Sequence, residues 1–198
     1  MLKFTNDAYE IDRLINELTV NETYFFRDFP QLRNFAEDVL PIFIREKGDR
    51  KKIKIWSAAC STGEEPYTLS IILQEMLEKP EEWEIQILAS DINTEVLQSA
   101  RIGLYESRAV RDVPPEYLER YFTKRNDKYL INRNVKKHVS FKRINLMDEN
   151  EMSNINGYDF IFCRNCLIYF DDESRKSVLS SFYDSLNPGG FIFLGHSE

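Results

Sequence analysis

Glycine, cysteine and histidine are scarce in this 198-residue sequence, with 7, 3 and 2 copies. No Gly-x-Gly-x-x-Gly run and no Walker-type lysine follows an apolar segment, which excludes the common phosphate cradles. The Ser, His and Asp order of a hydrolase triad is missing too. A zinc site needs about four ligands, and His138 and His196 lack the spacing to complete one with Cys163 and Cys166. No apolar run reaches membrane-spanning length and the N-terminus has no signal-peptide pattern, so neither direct membrane insertion nor export is expected. There is no internal repeat and no low-complexity tract. A net charge of −7 weighs against nucleic acid as the main partner.

What is present fits one α/β domain with a substantial core. Ile11, Leu14, Ile15 and Leu18 recur at helical spacing, which predicts an amphipathic helix over Ala8–Leu18. Gln31–Arg45 is apolar enough for a helix that Pro41 bends or divides. Strands and helices then alternate. Strand Lys54–Cys60 leads to helix Glu64–Leu77, and strand Glu84–Ser90 to helix Thr94–Ala100. Strands Val139–Ile144 and Phe160–Cys163, helix Glu173–Leu186 and strand Gly190–Leu194 follow, the last behind an Asn187-Pro-Gly-Gly turn. The rhythm predicts a parallel sheet with helices on both faces. Residues 102–137 interrupt it, with a short helix near Glu116–Tyr121 and a hairpin through Tyr129–Ile131, and read as an insertion on the sheet edge. The basic clusters Arg45–Lys54 and Lys124–Lys137 read first as solvated faces.

The densest signal is Trp56-Ser-Ala-Ala-Cys-Ser-Thr-Gly-Glu-Glu-Pro-Tyr67. An apolar strand breaks at a tight turn and restarts as a helix with two carboxylates in its first turn. Fixed negative charges there repel phosphate and suit a ligand with a cationic end. The same residues also fit capping boxes, Ser61 with Glu64 and Thr62 with Glu65. Asp91 follows the second strand, where an acidic side chain can accept hydrogen bonds from a ribose diol; it also suits a helix cap before Thr94. Cys163-Arg-Asn-Cys166 ends a later strand. Its spacing permits a redox pair, but buried, reduced thiols of a cytoplasmic protein are the expectation. An adenosyl ligand without phosphate matches this pattern, and S-adenosylmethionine carries the ribose, ammonium and sulfonium that Asp91 and Glu65 could meet.

Six segments taken together resemble the chemotaxis receptor methyltransferases, the CheR family. They are Asn21-Glu-Thr-Tyr-Phe-Phe-Arg-Asp28, the Trp56–Tyr67 motif, Ala89-Ser-Asp-Ile-Asn93, Asn145-Leu146, Phe162-Cys-Arg-Asn-Cys-Leu-Ile-Tyr-Phe170 and Gly195-His-Ser-Glu198. The resemblance implies a Rossmann-like class I S-adenosylmethionine-dependent methyltransferase sheet with a small β insertion. It implies methyl transfer to glutamate side chains of transmembrane chemoreceptors, in their cytoplasmic methylation region, with S-adenosylhomocysteine as product.

By that resemblance Asn21, Thr23, Arg27, Glu65, Asp91, Asn145, Leu146, Arg164 and Asn165 line the cofactor site. Asp91 holds the ribose hydroxyls, Asn145 and Leu146 flank the adenine, and Glu65 faces the ammonium. Arg27 and Tyr169 are the catalytic candidates, and no metal is implied. Phe25, Phe26 and Phe170 are expected to be core. Residues 21–198 would be the catalytic domain, and 1–20 a remnant or short form of the family's N-terminal helical region. The family's closing C-terminal strands are expected to be absent as well, as in a natural short form or a fragment. The stretch Thr123–Asn132 has no glycine, so the family's tethering of receptor tail peptides through this insertion is not expected. Two rival readings remain at this stage: a methyltransferase of the same fold with another substrate, and a cofactor-binding regulatory module without turnover.

Overall fold

Strands built from alternating apolar residues can be buried on both faces only if helices cover each side, and the computed structural model shows this arrangement. It describes residues 22–198 together with Glu10, Leu14, Asn16 and Glu17, which are helical. The rest of the expected helix Ala8–Leu18, and Asn21, lie outside the described residues. The strands are β1 (Lys52–Ala58), β2 (Glu84–Asp91), β3 (Leu104–Glu106), β4 (Phe122–Arg125), β5 (Lys128–Ile131), β6 (Val139–Arg143), β7 (Tyr158–Cys163) and β8 (Leu186–Leu194). Five of them form an all-parallel sheet in the order β6-β2-β1-β7-β8. The order reverses between β1 and β7, so the carboxyl ends of these neighbours flank the crevice where open α/β sheets take ligands.

Period-2 alternation sorts the core. Ile53 and Ile55 of β1 join Ile85, Ile87, Phe160, Phe162 and Phe193 on one face. Trp56 and Ala58 join Ile161 and Cys163 on the other. The first face is covered by α1 (Phe29–Asn34), α2 (Leu40–Lys47), α3 (Glu64–Met76) and α4 (Thr94–Ile102). A π-turn, Phe35–Val39, joins α1 to α2. There the Leu40 N–H reaches back five residues to the Phe35 carbonyl, a wide turn just before Pro41, which has no N–H to donate. The divided helix expected around Pro41 is therefore present.

The second sheet has the order β3-β5-β4 and lies in the insertion, with α5 (Pro115–Tyr121) and α6 (Arg133–Lys136). It is a separate sheet, not hydrogen-bonded to the main one. It packs over α3, which is buried along nearly its whole first two turns and needs cover on its outer side. Tyr121 Oη and Arg120 both donate to Glu75. The Tyr105 hydroxyl donates to the Thr62 carbonyl at 2.8 Å, and Ser70 Oγ to the Val135 carbonyl at 3.0 Å.

The second face of the main sheet is covered by α7 (Glu149–Met152) and α8 (Asp172–Ser185), through Met152, Val178 and Phe182. Strand β8 starts earlier than expected: Tyr158 pairs with Leu186, then Phe160 with Phe191. The Asn187-Pro-Gly-Gly segment is thus a bulge inside the strand, pinned by Asn187 Nδ2 on the Gly157 carbonyl at 3.0 Å and on Asp159 Oδ1 at 2.8 Å.

Phe35 is fully buried and meets Phe160, Phe162 and Phe193 edge-on, with centroids 5.1, 5.2 and 5.6 Å away. It joins the N-terminal helices to the sheet centre. Truncating a buried phenylalanine costs about 3–5 kcal/mol. Urea denaturation of Phe35→Ala should show a loss of that size, and a loss near zero would mean the N-terminal helices do not share the core.

Candidate active site

The loop between β1 and α3 holds strained backbone at the carboxyl edge. Ala59 and Ser61 have φ of 56° and 48°, and Gly63, the residue before α3, has φ of 91°. Non-glycine residues held there cost about 1–3 kcal/mol each and persist only where surroundings over-determine them. The surroundings here are hydrogen bonds. Cys60 N–H donates to the Ser90 carbonyl at 2.9 Å, Gly63 N–H to the Cys60 carbonyl at 3.0 Å, and Ser61 N–H to Asp91 Oδ2 at 2.8 Å. Gly63 has a further reason: a Cβ would stand 2.9 Å from Ala100 Cβ, where α3 crosses α4.

Neither capping box forms. Gly63 caps α3 without any side-chain bond, and the two carboxylates part company. Glu64 turns inward to accept from Thr62 Oγ1 at 2.7 Å and floors a cavity of about 630 Å³ rimmed by Arg108 and Arg111. Burial pushes its carboxyl above the ordinary range. Glu65 turns toward the ends of β1 and β7, where Oε1 accepts from Ser57 Oγ at 2.7 Å and Oε2 from Arg164 Nε at 2.6 Å. The Arg164 side chain is only 4% exposed. Its other end donates to the Arg27 carbonyl at 2.9 Å and lies 3.8 Å from Asp28.

The crevice between these ends is lined by Glu22, Thr23, Tyr24, Arg27, Ala59, Cys60, Ser61, Glu65, Arg164 and Asn165. It thus brings together five of the residues singled out from sequence: Thr23, Arg27, Glu65, Arg164 and Asn165. Arg27 donates to the Glu22 carbonyl at 2.6 Å and lies over the Tyr24 ring. Asp91 stands behind the crevice wall at the end of β2. Burial raises its carboxyl, and the backbone N–H groups of Asn93 and Ser61 oppose that shift. A carboxylate has about four acceptor sites, and with the Ile92 N–H also facing it Asp91 has three backbone donors, which leaves room for a further one. The helix cap is Asn93, not Asp91: its side chain accepts from Glu95 and Val96.

Asn145 and Leu146 follow β6, one strand further out. Ile144 N–H donates to the Asp91 carbonyl at 3.1 Å, which sets this segment beside Asp91. The Asn145 side chain accepts from Met147 N–H at 3.0 Å, and Leu146 packs half-buried on the second core. Tyr169 ends a single 3₁₀ turn, Leu167–Tyr169, and is 65% exposed, outside the crevice lining. Phe25 and Phe26 are buried, Phe25 edge-on to Tyr105 and Phe122, and Phe170 is half-buried against the second core.

All three cysteines are free. The Cys166 side chain and burial both push the Cys163 thiol well up, and burial does the same for Cys60 with help from Asp91 and Glu65. Thiols held protonated are poor nucleophiles. Sequence reasoning missed Ser57 and read Ser61 as part of the turn and its capping box. The Ser61 hydroxyl is buried and lacks a hydrogen-bond partner among the described residues, an unmet polar group in the crevice wall. An adenosyl amino acid, with both signs of charge and many polar atoms, fits such a wall.

Because burial raises Glu64 in the folded state, ionising it costs stability. That cost is absent below the unfolded carboxyl value near 4.5 and grows as pH rises through the folded value. Glu64→Gln keeps an acceptor for Thr62 and cannot ionise. Urea midpoints should show this variant gaining on the parent as pH climbs from about 4.5; a pH-independent gap would show that Glu64 is not desolvated.

Comparison with known proteins gives one consistent answer. A family model described as CheR methyltransferase, SAM binding domain, matches residues 21–198. The chain is 45% identical over 198 residues to chemotaxis protein methyltransferase 2 of Vibrio cholerae, covering all of this chain and 68% of that protein. It is 37% identical over 207 aligned positions to the chemotaxis protein methyltransferase of Salmonella typhimurium, covering all of this chain and 67% of that one. The match to the Borreliella burgdorferi chemotaxis protein methyltransferase is 35% over 193 positions, with 96% and 68% covered.

Proposed function

The chain belongs to the CheR methyltransferase family, and we propose that it transfers the methyl group of S-adenosylmethionine to glutamate side chains of chemoreceptors, giving glutamyl methyl esters for sensory adaptation. The observation that carries this reading is the crevice at the β1–β7 switch point, where Glu65, Arg164, Arg27 and the unmet Ser61 hydroxyl converge within reach of the Asp91 loop. Bound S-adenosylmethionine supplies an electrophilic methyl group on a sulfonium.

The roles follow from the donors and acceptors in place. Asp91 has acceptor capacity for ribose hydroxyls, with Asn145 and Leu146 beside it for the adenine. Glu65 keeps free lone pairs for an ammonium while Arg164 fixes its orientation. Arg27 is the cation for the methionine carboxylate. Thr23 and Asn165 complete the wall, and Asn21, which lies outside the described residues, keeps the cofactor role that the family resemblance implies. Tyr169, exposed four residues beyond the crevice residue Asn165, meets the incoming glutamate and orients it by hydrogen bond. A glutamate with pKa near 4.3 is already ionised at pH 7, so no general base is required. The protein's work is to place the carboxylate in line and strip its water, and proximity of this kind lowers barriers by about 7–11 kcal/mol.

The partner is the receptor's cytoplasmic methylation region, which sets the site of action in the cytoplasm. Among the described residues no helix is long and apolar enough to cross a membrane. The insertion's hairpin turns at Asn126, with φ of 52°, where no glycine stands. Its short strands β4 and β5 and glycine-free turn favour direct engagement of the receptor bundle over capture of a tail peptide by strand addition. Lys128 pairs with Glu106 at 2.8 Å and Lys136 caps α4 through the carbonyls of Arg101 and Ile102. Lys124 and Arg125 are exposed and are the cations for an acidic, glutamate-rich surface.

Loss of a charged hydrogen-bond partner costs about 1.5–3 kcal/mol, or roughly ten- to a hundred-fold in affinity. Calorimetry should find S-adenosylhomocysteine binding to Asp91→Ala weakened by that factor; unchanged affinity would remove Asp91 from the site.

Incubation with methyl-labelled S-adenosylmethionine and receptor cytoplasmic domains tests the chemistry. The label should appear on the receptor and leave in mild alkali as an ester does, whereas an alkali-stable label would refute the glutamate acceptor. Receptors with and without their C-terminal tail should label at similar rates, and a large drop on tail deletion would refute direct engagement.

A further inference from the structure

The geometry points to Glu198 as a positioning residue that holds the Tyr169 turn in place. The turn Leu167–Tyr169 begins with N–H groups that have no partner inside it, and Cys166 before it offers no side-chain cap. A carboxylate from 31 and 32 residues further on fills the gap: Glu198 Oε1 accepts from Cys166 N–H at 2.5 Å and from Leu167 N–H at 2.6 Å. Its other oxygen accepts from Gly195 N–H at 2.5 Å. One charged group thus ties the end of β8 to the segment after β7 by three short, charge-assisted bonds.

Two further facts make this a built arrangement. A Cβ on Gly195 would stand 2.7 Å from the Glu198 carboxylate and 3.1 Å from the Asn165 backbone nitrogen, so the fold-back packs closely against this residue. Asn165, which lines the crevice, sits at φ 59° immediately before the segment that Glu198 grips. Glu198 does not line the crevice itself. Its effect on methyl transfer runs through the turn that carries Tyr169, so the inference rests on the role proposed above for that tyrosine.

The test uses the full chain with S-adenosylmethionine and a receptor cytoplasmic domain. Misplacing a reacting group by about 1 Å can cost about a hundred-fold. Glu198→Ala should lower kcat by about 10- to 100-fold while S-adenosylhomocysteine affinity stays within about threefold. Glu198→Gln keeps one acceptor oxygen for Cys166 and Leu167 but turns an amide toward Gly195 N–H, and should fall between parent and alanine variant. In a Tyr169→Phe background, Glu198→Ala should cost less than about twofold more, because residues acting as a unit are not additive. Equal losses in both backgrounds, or parallel loss of cofactor affinity and kcat, would overturn the inference. Full activity of Tyr169→Phe alone would instead sink the tyrosine assignment. Amide NMR decides in that event too: Glu198→Gln should move the Gly195, Cys166 and Leu167 protons upfield and perturb 165–170, and an unchanged spectrum there would refute the tie.

Discussion

Stripping water from a guanidinium costs several kcal/mol unless other groups replace it, and Arg164 is almost wholly stripped. The carboxyl edge is organised around satisfying it. Its Nε is met by Glu65, 99 positions earlier in the chain, and its Nη1 by the Arg27 carbonyl, 137 positions earlier. The end of β7, the start of α3 and the segment before α1 are thereby locked to one another. A buried pair of this kind adds little net stability against an apolar alternative, but removing one partner strands the other. Its contribution is geometric: it fixes which way Glu65 faces and how close the N-terminal segment lies to the sheet.

The lock depends on topology. Only because the sheet order reverses between β1 and β7 do the residues after those two strands become neighbours. Register sharpens this, since Ala58 pairs with Cys163 at the last rung and the chains leave the sheet side by side. Below that edge the aromatic stack of Phe35, Phe160, Phe162 and Phe193 stiffens the platform. Above it, the insertion clamps α3 through Glu75, Thr62 and Ser70. The helix that presents Glu64 and Glu65 is thus held from both sides, and the directions of its first-turn side chains are set before any ligand arrives.

Most of the strand and helix alternation was legible because β1, β2 and β7 each carry a largely apolar run, Ile55–Ala58, Ile87–Ala89 and Phe160–Cys163, of the kind central parallel strands show. Local signals misled where two partners competed for one group. Thr62 with Glu65 looked like a cap, but Ser57 and Arg164 hold Glu65 and a left-handed Gly63 starts the helix. Asp91 looked like a cap for α4, but Asn93 does that work while Asp91 pins the Ser61 loop. No window of sequence shows a contact made across a hundred residues. The packing of the insertion over α3 was not legible for a related reason: a helix buried along its first turns announces that it needs cover, not which segment supplies it.

The separation of Glu64 from Glu65 shows what the fold adds to composition. Adjacent residues on a helix point about 100° apart, so one carboxylate turns inward and is buried while its neighbour enters the crevice. Burial drives Glu64 toward its neutral form, whereas Glu65 sits against a guanidinium. Two identical residues in sequence therefore place one fixed negative charge, not two, at the crevice. Set beside Arg27, Arg164 and the Asp91 loop, that charge leaves a wall with both signs represented at close range. A phosphate-rich nucleotide would find no concentrated positive field there, while a ligand carrying an ammonium, a carboxylate and a ribose meets a partner for each. The specificity proposed for this site follows from where the helix turns its first two side chains.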